Sequence, residues 1–123
     1  AAQLPVEIFG RQPQADWCYY FEKADLAAHL EQWEQIIPLS EQAFELGARL
    51  YEVNAPELLP YIEAFARTGD WSRAVLLSRQ AYQLTARMDR ILCSTWERIL
   101  ADTPESTPRQ QAVGELAEFL SCP

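Results

Sequence analysis

The chain contains a single histidine, and that scarcity limits its chemistry first. His29 would lie one helical turn from Asp25, a spacing that can orient an imidazole for acid–base work, but no companion nucleophile or ligand set accompanies it. A solvent-facing or groove-lining histidine is the better reading. Four scattered glycines exclude a glycine-rich phosphate loop, and neither HExxH nor G-x-S-x-G occurs. The sequence therefore assigns no catalytic, cofactor-binding or metal-binding residue, and catalysis is not expected of this chain. No run approaches the roughly 18 apolar residues of a membrane-spanning helix, and the first residues form neither a basic nor an apolar signal region. Direct membrane insertion of the segment is not expected. Cys18, Cys93 and Cys122 lie far apart without CxxC spacing, so neither a zinc site nor a disulfide framework is suggested. Cys18 and Cys93 fall in apolar periodic stretches and read as small buried hydrophobes, with Cys122 in a frayed end. That pattern favours a reducing, cytoplasmic setting.

A basic face is also missing. The formal charge of −8 argues against nucleic acid or an anionic membrane surface as partner. Residues 1–63 hold eleven acids against three bases (Arg11, Lys23, Arg49), whereas residues 64–123 hold seven of each. A basic partner segment would be drawn to the front half, with an attraction that salt weakens. As a plain alternative, the acids form a solvated face. The 123 residues suffice for one domain with a modest core. A start at Ala1-Ala2 without Met and an abrupt end at Cys122-Pro123 leave room for a larger parent protein.

What is present is an internal echo. Trp71 and Ala81 repeat Trp33 and Ala43 at an offset of 38, within the window of 20 to 50 residues that marks stacked-repeat architectures. Residues 1–16, with Leu4-Pro5-Val6-Glu7-Ile8-Phe9-Gly10 and Pro13, form an extended lead expected to pack across the first helices. Residues 17–121 form the helical-repeat domain, with hairpins at about 17–48, 55–87 and 88–121. Asp16 is placed to cap a helix over 17–30, followed by a second over 33–48 weakened by Gly47, and Asn54-Ala55-Pro56 forms the break. Leu58, Leu59, Ile62, Phe65 and Ala66 give one buried face. Thr68-Gly69-Asp70 makes a tight turn into a helix over 71–87, with Ala74, Leu77, Ala81 and Leu84 as its inner stripe. Trp96 lies 38 beyond Leu58 and Ala112 lands on the Ala74 position, which extends the frame to helices over 88–101 and 109–120. Ile91, Leu92, Thr95, Trp96, Ile99 and Leu100 face inward on the first; Ala112, Val113, Leu116, Phe119 and Leu120 do so on the second. Self-association is open if that last helix exposes Leu116, Phe119 and Leu120.

Ile62, Phe65, Gly69, Trp71, Ala74 and Ala81, with Trp33 and Ala43 upstream, resemble the tetratricopeptide repeat family over roughly residues 17–120. Glu31 stands where the turn glycine is expected and Ile36 where a small residue is, and the usual period of 34 is stretched to 38. The resemblance implies an all-α fold, a right-handed stack of about three antiparallel hairpins forming an α-solenoid, with Trp33 and Trp71 as scaffold. A second resemblance rests on Ile8-Phe9-Gly10, the run Trp17-Cys18-Tyr19-Tyr20-Phe21-Glu22-Lys23-Ala24-Asp25-Leu26-Ala27, Gly69-Asp70-Trp71 and Leu92-Cys93-Ser94-Thr95-Trp96. It is similar to the soluble C-terminal tail of bacterial multispanning membrane proteins akin to dolichyl-phosphate-mannose-type glycosyltransferases, which implies that catalysis belongs to a membrane portion outside this chain.

In such a stack the first helices line the concave side. Tyr19, Glu22, Asp25 and His29 from the first hairpin, Glu63 and Arg67 from the second, and Ser94, Glu97 and Arg98 from the third are the candidate groove. Adjacent helix positions diverge by roughly 100°, so Trp17, Tyr19, Tyr20 and Phe21 cannot all face inward and need either the lead or a ligand as cover. Without a cluster of lysines and asparagines, capture of a C-terminal carboxylate is not favoured. The expected role is a protein-interaction or scaffolding module that binds a protein or peptide of basic character. The alternative is a small-molecule or regulatory-ligand domain, which would need an enclosed pocket.

Overall fold

Side-chain oxygens set where three of the helices begin. In the computed structural model, which describes residues 16–46 and 53–123, Asp16 Oδ1 accepts from the Tyr19 amide (2.9 Å). Asp70 Oδ1 accepts from the Arg73 amide and Ser106 Oγ from the Arg109 amide, each at 3.2 Å. Each bond satisfies one of the amides that a helix leaves without an internal partner. The resulting helices are α1 (Trp17–His29), α2 (Trp33–Leu46), α3 (Leu59–Arg67), α4 (Trp71–Leu84), α5 (Asp89–Asp102) and α6 (Thr107–Leu116). Short 3-10 turns, Ala55–Leu58 and Ala86–Met88, precede α3 and α5. The described chain is all-α. The expected lead and Gly47 lie outside the described residues.

The 38-residue offset holds for the backbone as well as for the sequence. Both ends of α4 fall 38 residues after those of α2, and the 3-10 turn with α3 spans the counterpart of α1. At the end of α1 the amides of Leu30, Glu31 and Gln32 bond to the carbonyls of Leu26, Ala28 and Ala27. At the end of α3, Thr68, Gly69 and Asp70 bond to Ala64, Ala66 and Phe65 in the same pattern. This is a Schellman stop, which needs a left-handed residue at its centre. Gly69 takes φ 96° there and Glu31 takes φ 56°, so Glu31 fills the glycine position without being glycine.

The third unit departs from that frame. Ser106 caps α6 only 36 residues after Asp70, and α6 lies chiefly on α4, not against α5 as a hairpin partner. The turn chemistry explains the change: Thr103 is extended where the earlier turns use a Schellman stop. Arg109 then ties the longer link in place, donating to the Leu100 carbonyl (2.6 Å), to Thr103 Oγ1 (3.3 Å) and to Glu105 (2.6 Å).

α3 is the hub, packed by α1, α2, α4 and α5. Leu58, Tyr61, Ile62, Phe65 and Ala66 are buried, as are Ala74, Leu77 and Ala81 on α4, the small ones permitting close helix approach. Trp71 is buried and tilts onto Trp96 at 6.1 Å. Trp96 Nε1 donates to Ser78 Oγ (2.8 Å), which donates to the Ala74 carbonyl (2.8 Å), so this core indole leaves no polar atom unsatisfied.

Several inward assignments fail at element ends. Leu84 is 39% exposed because α4 stops there, Thr85 being extended, instead of running to residue 87. Ile91, in the first turn of α5, and Val113, on the outer side of α6, are also exposed. Leu116 and Leu120 are buried and Phe119 is half-buried, its ring 5.9 Å from Tyr82, so they do not offer the self-association surface considered for them. The cysteine reading is overturned as well. Cys93 and Cys122 form a disulfide with Cα atoms 5.4 Å apart, because the chain turns back after α6 and returns its tail to α5. Cys18 is half-buried and stands outside that bond.

Candidate functional site

Residues four apart share a helix face, and three helices turn such faces to one cleft. α1 contributes Phe21, Asp25 and His29; α3 contributes Leu59, Glu63 and Arg67; α5 contributes Arg98 and Asp102. Glu31 from the first turn and Trp33 at the start of α2 close one end. The cleft is open to solvent and holds about 460 Å³.

Glu63 is the organising charge. Its side chain is 8% exposed and receives Arg67 Nε (2.9 Å) on its own helix, then both Arg98 Nε (3.2 Å) and a terminal Arg98 nitrogen (2.9 Å) from α5. Arg67 also donates to Asp102 Oδ2 (3.0 Å) and stacks over the Trp33 ring at 4.9 Å. The two-pronged bond across the α3–α5 contact fits the planar guanidinium, which lysine could not reproduce. Hydrogen bonding to Glu63 raises the Arg98 pKa above its ordinary value, so the guanidinium stays charged. The network spends both guanidiniums on Glu63 and Asp102. Among the described residues, the four lining carboxylates set against these two arginines leave a formal −2, placed with Asp25 and Glu31 at the α1 end.

Of the nine groove candidates, five meet in this cleft: Asp25, His29, Glu63, Arg67 and Arg98. Glu63 is floor and bracket, its burial leaving little surface for a ligand. His29 Nδ1 donates to the Asp25 backbone carbonyl (2.8 Å) and stands 3.8 Å from the Asp25 carboxylate, with a side chain 73% exposed. That is a helix-surface contact, not an oriented acid–base dyad. Among the described residues the lining contains no serine, threonine or cysteine. Tyr19, Glu22, Ser94 and Glu97 do not line the cleft. Tyr19 sits edge-on to Tyr20 at 5.1 Å with Lys23 Nζ 4.9 Å from its ring. Ser94 and Glu97 miss because the 38-residue frame no longer holds on α5, where the facing residues are Arg98 and Asp102.

Phe21, Glu31, Trp33, Leu59 and Asp102 were not foreseen as lining. Trp33 is the instructive one: it copies Trp71 in sequence, yet it is half-exposed at the cleft rim, not a buried scaffold residue. Position 71 is covered by α5 through Trp96, whereas over the Trp33 ring lies the Arg67 guanidinium. The arginine 34 residues downstream of it could have hinted at the stacked pair. Beneath the site Tyr61 lies fully buried between Trp17 (5.6 Å) and Phe44 (5.1 Å), and its hydroxyl has no hydrogen-bond partner among the described residues. Burial first, and the charge of Glu57 second, raise its pKa, keeping the phenol neutral.

Among the described residues no three His, Cys, Asp or Glu side chains cluster to hold a metal ion, and no helix is long and apolar enough to cross a membrane. The arrangement offers carboxylates beside aromatic and proline surface in an open trough, chemistry suited to holding a cation on an apolar stem. Compared with protein-family models, curated proteins and solved structures, the chain matches none.

Proposed function

We propose that this domain is a protein-interaction module of tetratricopeptide-like type, a short stack of helical hairpins whose first helices form a groove for a basic peptide segment. The observation that carries the reading is the open cleft shared by α1, α3 and α5, with −2 at its described lining and Phe21, Trp33 and Leu59 beside the carboxylates of Asp25 and Glu31, which bind neither arginine. An arginine or lysine stem lies on the aromatic walls while its charge meets those carboxylates. An open trough supports peptide capture over an enclosed small-molecule site. The repeated turn geometry at a 38-residue offset supports the solenoid reading of the first two units.

The resemblance to the soluble tail of a membrane glycosyltransferase-like protein goes with this role, the module then recruiting or assembling partners for chemistry done elsewhere. The Cys93–Cys122 disulfide supports an oxidising compartment, in place of the reducing one that the cysteine spacing favoured.

Calorimetric titration with a capped Gly/Ser peptide bearing two arginines tests the groove, using the same peptide with two glutamates as comparison. The arginine peptide binds and weakens as salt rises. Asp25→Asn and Glu31→Gln each loosen it about two- to five-fold, the effect of one exposed ion pair. Absence of binding, or equal binding of the glutamate peptide, removes the proposal.

A further inference from the structure

Two features let a site tell arginine from lysine: a carboxylate that accepts both prongs of the planar guanidinium, and an aromatic face on which that plane can lie. The cleft has both, and the chain's own arginines occupy them. Glu63, a carboxylate fixed by burial, accepts Arg98 on each oxygen, Nε on Oε2 (3.2 Å) and a terminal nitrogen on Oε1 (2.9 Å), and Arg67 on Oε2 besides. The Trp33 ring carries the Arg67 guanidinium at 4.9 Å, and Asp102 accepts from the same side chain. The Arg98 side chain is 56% exposed and that of Glu63 is 8% exposed, so the arginine is the outward member of the pair.

What the cleft presents to a ligand is of another kind. Asp25 and Glu31 bond to neither arginine; the Asp25 side chain is 47% exposed with His29 3.8 Å away, and Glu31 is exposed on its turn. Carboxylates so exposed are not held in one orientation, and each acts as a point charge that an ammonium meets as well as a guanidinium does. Phe21 and Leu59, with Pro56 and Pro60, receive the methylene stem of either side chain. On the basic-peptide role proposed for this cleft, on which the reading depends, we infer that the site recognises positive charge on an apolar stem and not the guanidinium plane. Lysine and arginine segments bind alike. Arg98 and Arg67 set that breadth by standing where a ligand's guanidinium would otherwise be recognised.

Calorimetric titration of the full chain with two capped Gly/Ser peptides, identical except that one bears two arginines and the other two lysines, tests it. The two dissociation constants agree within about three-fold, since each ligand charge meets an exposed carboxylate. In Arg98→Gln, with an unchanged helical circular dichroism spectrum as proof of folding, the Glu63 oxygen that Arg98 alone held is left to the ligand. Both peptides tighten with the added negative charge, and the arginine peptide gains more, opening a preference of about five-fold or more. The readout is the ratio of the two constants: a pair that only braced α3 against α5 would weaken both peptides together on its loss. A preference for either peptide beyond three-fold in the unaltered chain overturns the inference and leaves the basic-peptide groove standing, and this comparison decides even where Arg98→Gln does not fold. A ratio that a folded Arg98→Gln leaves unmoved also overturns it. Binding of neither peptide removes the groove itself, and the inference with it.

Discussion

At Glu31 the chain holds a backbone angle that its second unit gives to glycine, φ 56° against 96° at Gly69. A side chain in the left-handed region costs about 1 to 2 kcal/mol, partly offset because glycine loses more freedom on folding. Glu31→Gly is therefore expected to raise stability by about 0.5 to 1 kcal/mol in urea unfolding. Gly69→Ala should lower it by about 1 kcal/mol, with no steric contribution, since a Cβ at Gly69 meets nothing within 4 Å. Equal and small effects at both sites would show that the two turns are not equivalent. Because Glu31 also lines the cleft, its glycine variant should be less strained in the turn yet, on the proposed function, weaker for a basic peptide.

Among the elements, α4 and α2 are the same length and bear the same landmarks, and their surroundings make them different. Trp71 is 9% exposed and wedged against Trp96, whereas Trp33 keeps a free edge under Arg67. Trp71→Ala empties a buried indole volume and should cost about 3 to 5 kcal/mol, read as a shift in the denaturation midpoint. A loss under about 1 kcal/mol would place Trp71 outside the core. The sequence located α1, α2, α4 and α5 closely because caps, turn residues and apolar spacing act locally. It overran α4 to residue 87, since nothing local forbade helix there and only the extended Thr85 ends it.

For the molecule as a whole, the disulfide joins residues 29 apart and fixes the tail beyond α6 to α5, two elements that otherwise touch little. Closing such a loop in the unfolded chain is worth about 3.6 kcal/mol on the chain-entropy account. Reduction, or Cys93→Ser, should lower unfolding stability by up to that amount and loosen α6 first, visible as faster amide exchange over 107–120. Thiol titration of the unfolded, unreduced chain should count one thiol, from Cys18, and three after reduction. Three without reductant would mean that the bond does not form.

The sequence by itself determined the helices, the 38-residue period, the buried faces of α3 and α4, and the front-loaded acidity, because each depends on neighbours within a turn or two. It also brought Asp25, His29, Glu63, Arg67 and Arg98 forward as groove residues. Only the tertiary structure decided that Glu63 binds two arginines and sinks, that Trp33 faces a cleft while Trp71 is core, and that Cys93 meets Cys122. It also decided that α6 rests on α4. These depend on which surface another element happens to cover, and that is set by which helices come to lie against one another across the whole fold. Identical local signals therefore reach different fates in successive copies.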